Sequence, residues 1–249
     1  MTRASEQDLP PILRDCILFI MSISLGRAAP QVASSCPIDA AGRLAVLPRY
    51  GEGMRIGLFG GSFDPCHAGH RLASLIALRR LGLDRVWWVV TPGNPLKQND
   101  GLAPLETRLA AARALAADAR IDVTSFESQI GARYTYQTIV YLLRRCPGAR
   151  FVWIMGADNL ASFHRWQNWR EIADLVAIAV VDRPGSTLRT AHSRAGEWLA
   201  PFRLAETQGR LLPLLRPPAY IFLHGPRSSL SSTQIRQARE RTGPALSAI

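Results

Sequence analysis

Two rhythms of apolar and polar positions alternate along this chain from Met54 onward. "RIGLFG" (55–60) is a continuous apolar run and reads as a buried strand; "HRLASLIALRRLG" after it repeats at a helical period, with Leu72, Leu75 and Ile76 followed by Arg79 and Arg80. "RVWWVVTP" (85–92) is rich in β-branched and aromatic residues and predicts the second strand. "PLETRLAAARALAAD" (104–118) predicts an Ala-rich helix opened by Pro104 with Glu106 in its first turn. The alternation continues with a strand at "RIDVTSF", a helix at "YTYQTIVYLLRRC", a strand at "RFVWIMG" and a short helix from Trp166 to Ala173. A fifth strand, "LVAIAVVDRPG" (175–185), is stopped by Pro184 and Gly185. Beyond it the pattern gives a helix near 189–200, a last strand at "AYIFLHG" and a last helix at "SSTQIRQARERT".

Such alternation implies right-handed crossovers and a doubly wound, mainly parallel α/β sheet covered on both faces. Ligands of such sheets sit at the carboxyl ends of the strands, near the switch in strand order. The organisation expected is an N-terminal extension, 1–53, and a single domain, 54–249.

Composition narrows the chemistry only a little. The 249 residues are 47% apolar, ample for one large core, and carry a net charge of +11. Residues 1–53 hold five Arg and five acidic residues, so the excess lies after them. It suits a polyanionic ligand, although 29 Arg against one Lys also fits a compositional bias. Cys16, Cys36, Cys66 and Cys146 are scattered without a CxxC pair, which fits reduced thiols in a cytoplasmic protein. "CILFIMSISL" (16–25) is too short to span a membrane. It reads as a buried or disordered extension, as a signal-peptide core, or as sequence preceding a true start at Met54.

The candidate chemistry begins in "GLFGGSFDPCHAGH" (57–70), between the first strand and the first helix. Gly60 and Gly61 let the backbone turn and approach a phosphate, and amides around Ser62 and Phe63 can donate to its oxygens. His67 and His70, at i and i+3 where a helix starts, face one ligand, and Gly69 keeps the space beside them open. Neither GxxxxGK[ST] nor GxGxxG is present. GGSFDP followed by HxGH resembles the signature of the nucleotidylyltransferase superfamily, which implies that the two histidines stabilise a triphosphate during attack at its α-phosphorus.

The rest of the chain supplies matching parts. In "SLSSTQIR", Ser231, Ser232 and Thr233 stand at a predicted helix start with Arg236 one turn on. Hydroxyls there suit an N-cap, but an Arg at the positive end of a helix is unfavourable unless an anion is bound. The stretch is similar to the superfamily's SSTxIR motif. Lys97, the sole lysine, follows the second strand in "TPGNPLKQ", where an ammonium suits a phosphate clamp; its position resembles a lysine that contacts the triphosphate.

"MGADNLASFHRWQNWREI" (155–172), "RYTYQT" (133–138) and "DRPG" (182–185) resemble the bacterial nicotinate mononucleotide adenylyltransferases. The resemblance implies that Asp158 binds ribose, Trp166 stacks on the pyridine ring, Thr135 and nearby amides receive the nicotinate carboxylate, and Arg183 matches the arginine before Pro-Gly. Trp169 reads as a core aromatic. Cys66, Arg133 and Gln137 depart from the family's usual residues. The implied reaction joins ATP and nicotinate mononucleotide, with Mg²⁺ bridging phosphates and with no nucleic-acid or membrane partner. A phosphopantetheine adenylyltransferase, an RNA-binding module and an ATP sensor without turnover are the alternatives.

Overall fold

The computed structural model describes residues 45–93, 101–182 and 192–225. Seven strands form one sheet: β1 (Arg55–Gly61), β2 (Arg85–Val90), β3 (Ile121–Thr124), β4 (Arg150–Gly156), β5 (Ala177–Val181), β6 (Arg203–Leu204) and β7 (Tyr220–Leu223). Their order is β3-β2-β1-β4-β5-β7-β6, and every neighbouring pair is parallel. The chain winds outward from β1 through β2 to β3, then returns to the other side of β1 with β4. That reversal opens a crevice beyond the carboxyl ends of β1 and β4.

The continuous apolar strands follow from burial on both faces. Along β2, Val86, Trp88 and Val90 join one core cluster while Trp87 and Val89 join the other, as the two-residue strand period requires. On the first face pack α1 (Ala68–Arg80), through Ala77 and Leu78, and α2 (Leu105–Ala116), through Leu109, Ala112 and Ala116. After the one-turn helix α3 (Phe126–Gln129), the opposite face is covered by α4 (Thr135–Arg145), α5 (Ala157–Ser162), α6 (Trp169–Leu175) and α7 (Arg194–Leu199). Their core contributions include Ile139 and Leu142, Leu160, Ile172, and Leu199. Gly82, at φ +63°, ends α1 two residues past its last turn, where a left-handed residue lets the chain reverse into β2. Arg55 donates to Asp84 through Nε and Nη2 at 3.1 and 2.7 Å, bracing the amino ends of β1 and β2.

One expectation changes. The helix read from Trp166 to Ala173 begins at Trp169, because Asn168 sits at φ 55° and breaks any helix running through it. Trp166 instead has extended backbone after a 3₁₀ turn, Phe163–Arg165. The stretch 203–214, which carries no periodic signal, forms β6 and a 3₁₀ segment, Glu206–Leu214. Before β1, Ala45 is buried in the core with Leu47 and Tyr50 against it, and Gly53 N–H donates to Gly148 O at 2.7 Å. The last predicted helix lies outside the described residues.

Candidate active site

Gly60 and Gly61 close β1 at the carboxyl edge. A Cβ on Gly60 would stand 2.7 Å from Cη2 of the buried Trp153, so the indole of β4 demands glycine there. A Cβ on Gly61 would meet Phe63, its ring at 3.6 and 3.8 Å and its backbone nitrogen at 4.0 Å, which is ordinary contact. The chain then turns through Phe63 at φ 50°, a backbone state costing about 1–3 kcal/mol for a residue with a side chain. Burial offsets that cost: Phe63 is 1% exposed, and its ring stacks on Trp88 with centroids 5.2 Å apart.

This turn delivers His67 as the N-cap of α1. Its Nδ1 accepts from Gly69 N–H at 3.1 Å, and His67 N–H donates to His70 Nδ1 at 3.2 Å. His70 Nδ1 also lies 3.3 Å from His67 O, so the Nδ1 of each ring is engaged by the backbone of the helix start. The rings lie 3.9 Å apart and are 5% and 8% exposed. A support runs beneath them, with Trp88 Nε1 donating to Ser74 Oγ at 2.7 Å and Ser74 Oγ donating to His70 O at 2.9 Å. Two close N–H donors on a helix N-terminus can stabilise charge growing on a phosphoryl group.

The other described candidates occupy the same edge of the sheet. Asp158 is exposed in the first turn of α5, directly after β4, and Thr135 is the first residue of α4. Trp166 is partly buried, edge-on to Trp153 and Phe163 at 6.2 and 5.3 Å. Trp169 is buried among Phe163 and Trp198, as a core aromatic. Gln137 caps α4 by accepting from Arg133 N–H and Tyr134 N–H at 2.9 and 3.2 Å. Lys97, Arg183, Ser231, Ser232, Thr233 and Arg236 lie outside the described residues. Among the described residues no group of three or more His, Cys, Asp or Glu is placed to hold a metal ion. No described helix is long and apolar enough to cross a membrane.

Two buried charged residues that the sequence reading passed over stand behind this edge. Arg108 of α2 is 3% exposed and donates to four backbone carbonyls. Its signal was available: it shares the i, i+4, i+8 stripe of α2 with the buried Ala112 and Ala116. Glu127 of α3 accepts from Thr138 Oγ1 at 2.6 Å, and Thr91 hydrogen-bonds to the same carboxyl. Burial pushes the Glu127 carboxyl up against the downward pull of those two hydroxyls. A raised folded-state value supplies stability below the ordinary glutamate range that is lost as pH rises through it. Glu127→Gln should therefore gain Tm over the wild type as pH rises through and above the ordinary glutamate range. Melting curves whose difference stays constant across that range would show that Glu127 titrates as an ordinary glutamate.

The site can be set beside known proteins. The cytidylyltransferase-like family model matches residues 58–238. A "Probable nicotinate-nucleotide adenylyltransferase" of Methylorubrum extorquens (strain PA1) is 58% identical over 183 residues, covering 74% of this chain and 99% of the relative. This chain belongs to the nicotinate-nucleotide adenylyltransferase family. Family members so named from Agrobacterium fabrum and Brucella abortus (strain 2308) are 55% and 52% identical, each covered to 98% of its length and over 74% and 77% of this chain. The solved structure of Plasmodium falciparum nicotinic acid mononucleotide adenylyltransferase complexed with NaAD shares the fold. Its TM-score is 0.55 at 18% identity, over 74% of this chain and 83% of that one.

Proposed function

We infer that this chain transfers AMP from ATP to nicotinate mononucleotide, giving nicotinate adenine dinucleotide and pyrophosphate, a step of NAD biosynthesis. The observation that carries this reading is the extent of the likeness: a relative named for this activity is matched over 99% of its length at 58% identity. The paired histidines on α1 fall inside the segment that the family model matches.

An oxygen of the acceptor's phosphate attacks the α-phosphorus of ATP, the bond to the bridging oxygen breaks, and its electron pair leaves on pyrophosphate. The nucleophile is already ionised, so alignment and charge stabilisation carry the catalysis and no strong base is required. His70 contacts the α-phosphate oxygens through Nε2–H, and His67 assists it. The turn at Gly60, Gly61, Ser62 and Phe63 receives the phosphates. Lys97, Ser231, Ser232, Thr233 and Arg236 hold the β- and γ-phosphates. Mg²⁺ enters as part of the substrate MgATP and neutralises phosphate charge. On the acceptor side Asp158 holds ribose, Trp166 stacks on the pyridine, Thr135 with neighbouring amides takes the carboxylate, and Arg183 completes that end. The enzyme works in the cytoplasm, on small-molecule partners.

Pyrophosphate release is the test, with MgATP and, separately, nicotinate mononucleotide, nicotinamide mononucleotide and phosphopantetheine as acceptors. The highest kcat/KM is expected with nicotinate mononucleotide. Turnover confined to phosphopantetheine would overturn the acceptor assignment, and no turnover with any acceptor would make the chain an ATP sensor.

A further inference from the structure

Arg108 is a full-length cation in a place that normally excludes one. It projects from the buried stripe of α2, where burial pulls its pKa down and the charge of Asp64 opposes that pull. Taking a guanidinium out of water is costly, and apolar residues of similar volume commonly replace buried charges without loss of stability. Burial alone therefore gives no reason for an arginine here. Its bonds do. Nε donates to Ala103 O at 2.8 Å, Nη1 to Ser62 O at 2.8 Å and to Thr91 O at 2.7 Å, and Nη2 to Pro92 O at 3.3 Å.

Ser62 belongs to the turn that carries His67 and His70. Thr91 and Pro92 begin the loop that follows β2, the segment that runs on toward Lys97. The two loops are also joined by Thr91 N–H donating to Gly61 O at 3.0 Å, one further rung beyond the end of the β1/β2 ladder. Past that rung the strands no longer pair, and the guanidinium takes over the role of the ladder. Only a planar fork with several fixed donors reaches carbonyls on both loops and on its own helix's approach at once. The Thr91 hydroxyl donates to Gly93 O at 2.7 Å within the same loop and also contacts Glu127, whose carboxyl accepts from Thr138 of α4, the helix that opens with Thr135.

We propose that Arg108 is a positioning residue for adenylyl transfer: by bridging the Ser62 and Thr91–Pro92 carbonyls it fixes the histidine turn against the loop after β2. The proposal rests on the activity inferred above. Arg108 touches no substrate in this role; it sets the distance between groups that do. A misplacement of about 1 Å in such a frame costs on the order of 10²-fold in rate. A lysine keeps the charge but, as a point donor, cannot hold the carbonyls of both loops in one geometry.

The experiment compares wild type, Arg108→Lys and Arg108→Ala with MgATP and nicotinate mononucleotide, each assayed well below its own Tm and with rates normalised to folded protein. Arg108→Lys should lose about 30- to 100-fold in kcat while both KM values stay within about threefold, because the loops are still present but misaligned. Added methylguanidinium should restore part of the kcat of Arg108→Ala and none of that of Arg108→Lys. Either a kcat within about threefold of wild type for Arg108→Lys, or a loss that follows only the fraction folded with no guanidinium rescue of Arg108→Ala, would reduce Arg108 to a packing residue. Wild type that turns over no acceptor would instead defeat the functional reading, an outcome visible before any variant is made.

Discussion

Replacing His70 with alanine is expected to lower kcat by roughly 10²-fold or more, the scale on which enzymes lose rate when one preorganised donor to a developing charge is removed. The geometry explains why water would not substitute. The imidazole is 8% exposed and walled by Phe63, Phe59 and Trp88, with ring centroids 4.8, 5.9 and 6.3 Å away. In that apolar surround a fixed N–H interacts more strongly with a phosphoryl oxygen than it would in bulk water. Its orientation is set in advance, because Nδ1 is held at 3.2 Å from His67 N and 3.3 Å from His67 O. His67→Ala should cost less in rate and more in helix stability, since it also removes the side-chain acceptor that caps α1. Asparagine at 67 separates these effects by keeping an N-cap oxygen without the imidazole. Steady-state kinetics with thermal melts of the variants decide the matter, and unchanged turnover in His70→Ala would remove the histidine from the chemistry.

The inner parallel strands of this sheet are buried on both sides, so β2 and β5 read as nearly unbroken apolar runs, and "RVWWVV" declares itself without help from its partners. The histidine turn is equally visible, since Gly60, Gly61, His67 and His70 are unusual residue types at close spacing. Short elements leave no such trace. Phe126–Gln129 is a single turn, too brief for any period to emerge, and β6 has two residues. Trp166 and Trp169 share helical spacing, but Asn168 in a left-handed state separates them, and that state depends on the surrounding chain. Arg108 and Glu127 were missed for a related reason. A charged residue in a predicted helix such as Arg108 is usually solvated, so its place on the buried stripe with Ala112 and Ala116 is easily passed over, whereas Glu127 lies in a turn that no period announces and is buried only by the packing around it.

Trp88→Ala should be the most destabilising change next to the site, by about 3–5 kcal/mol, the range for truncating a large buried aromatic. For a domain of this size that corresponds to a fall in Tm of roughly 6–20 °C. Trp88 is fully buried, stacks on the strained Phe63 and reaches the backbone of His70 through Ser74. Two separate features of the histidine turn therefore rest on one side chain. Trp88→Phe divides them, keeping a ring against Phe63 while deleting the N–H to Ser74. Its cost should be about 1 kcal/mol beyond the lost volume, because Ser74 can still donate to His70 O and loses only a donor to its own oxygen. If Trp88→Phe is as unstable as Trp88→Ala, the hydrogen-bonded relay to His70 matters more than the stack; if Trp88→Ala melts with the wild type, the turn holds itself. The stack is expected to dominate, since the backbone state of Phe63 is unfavourable on its own and persists only while its ring is covered.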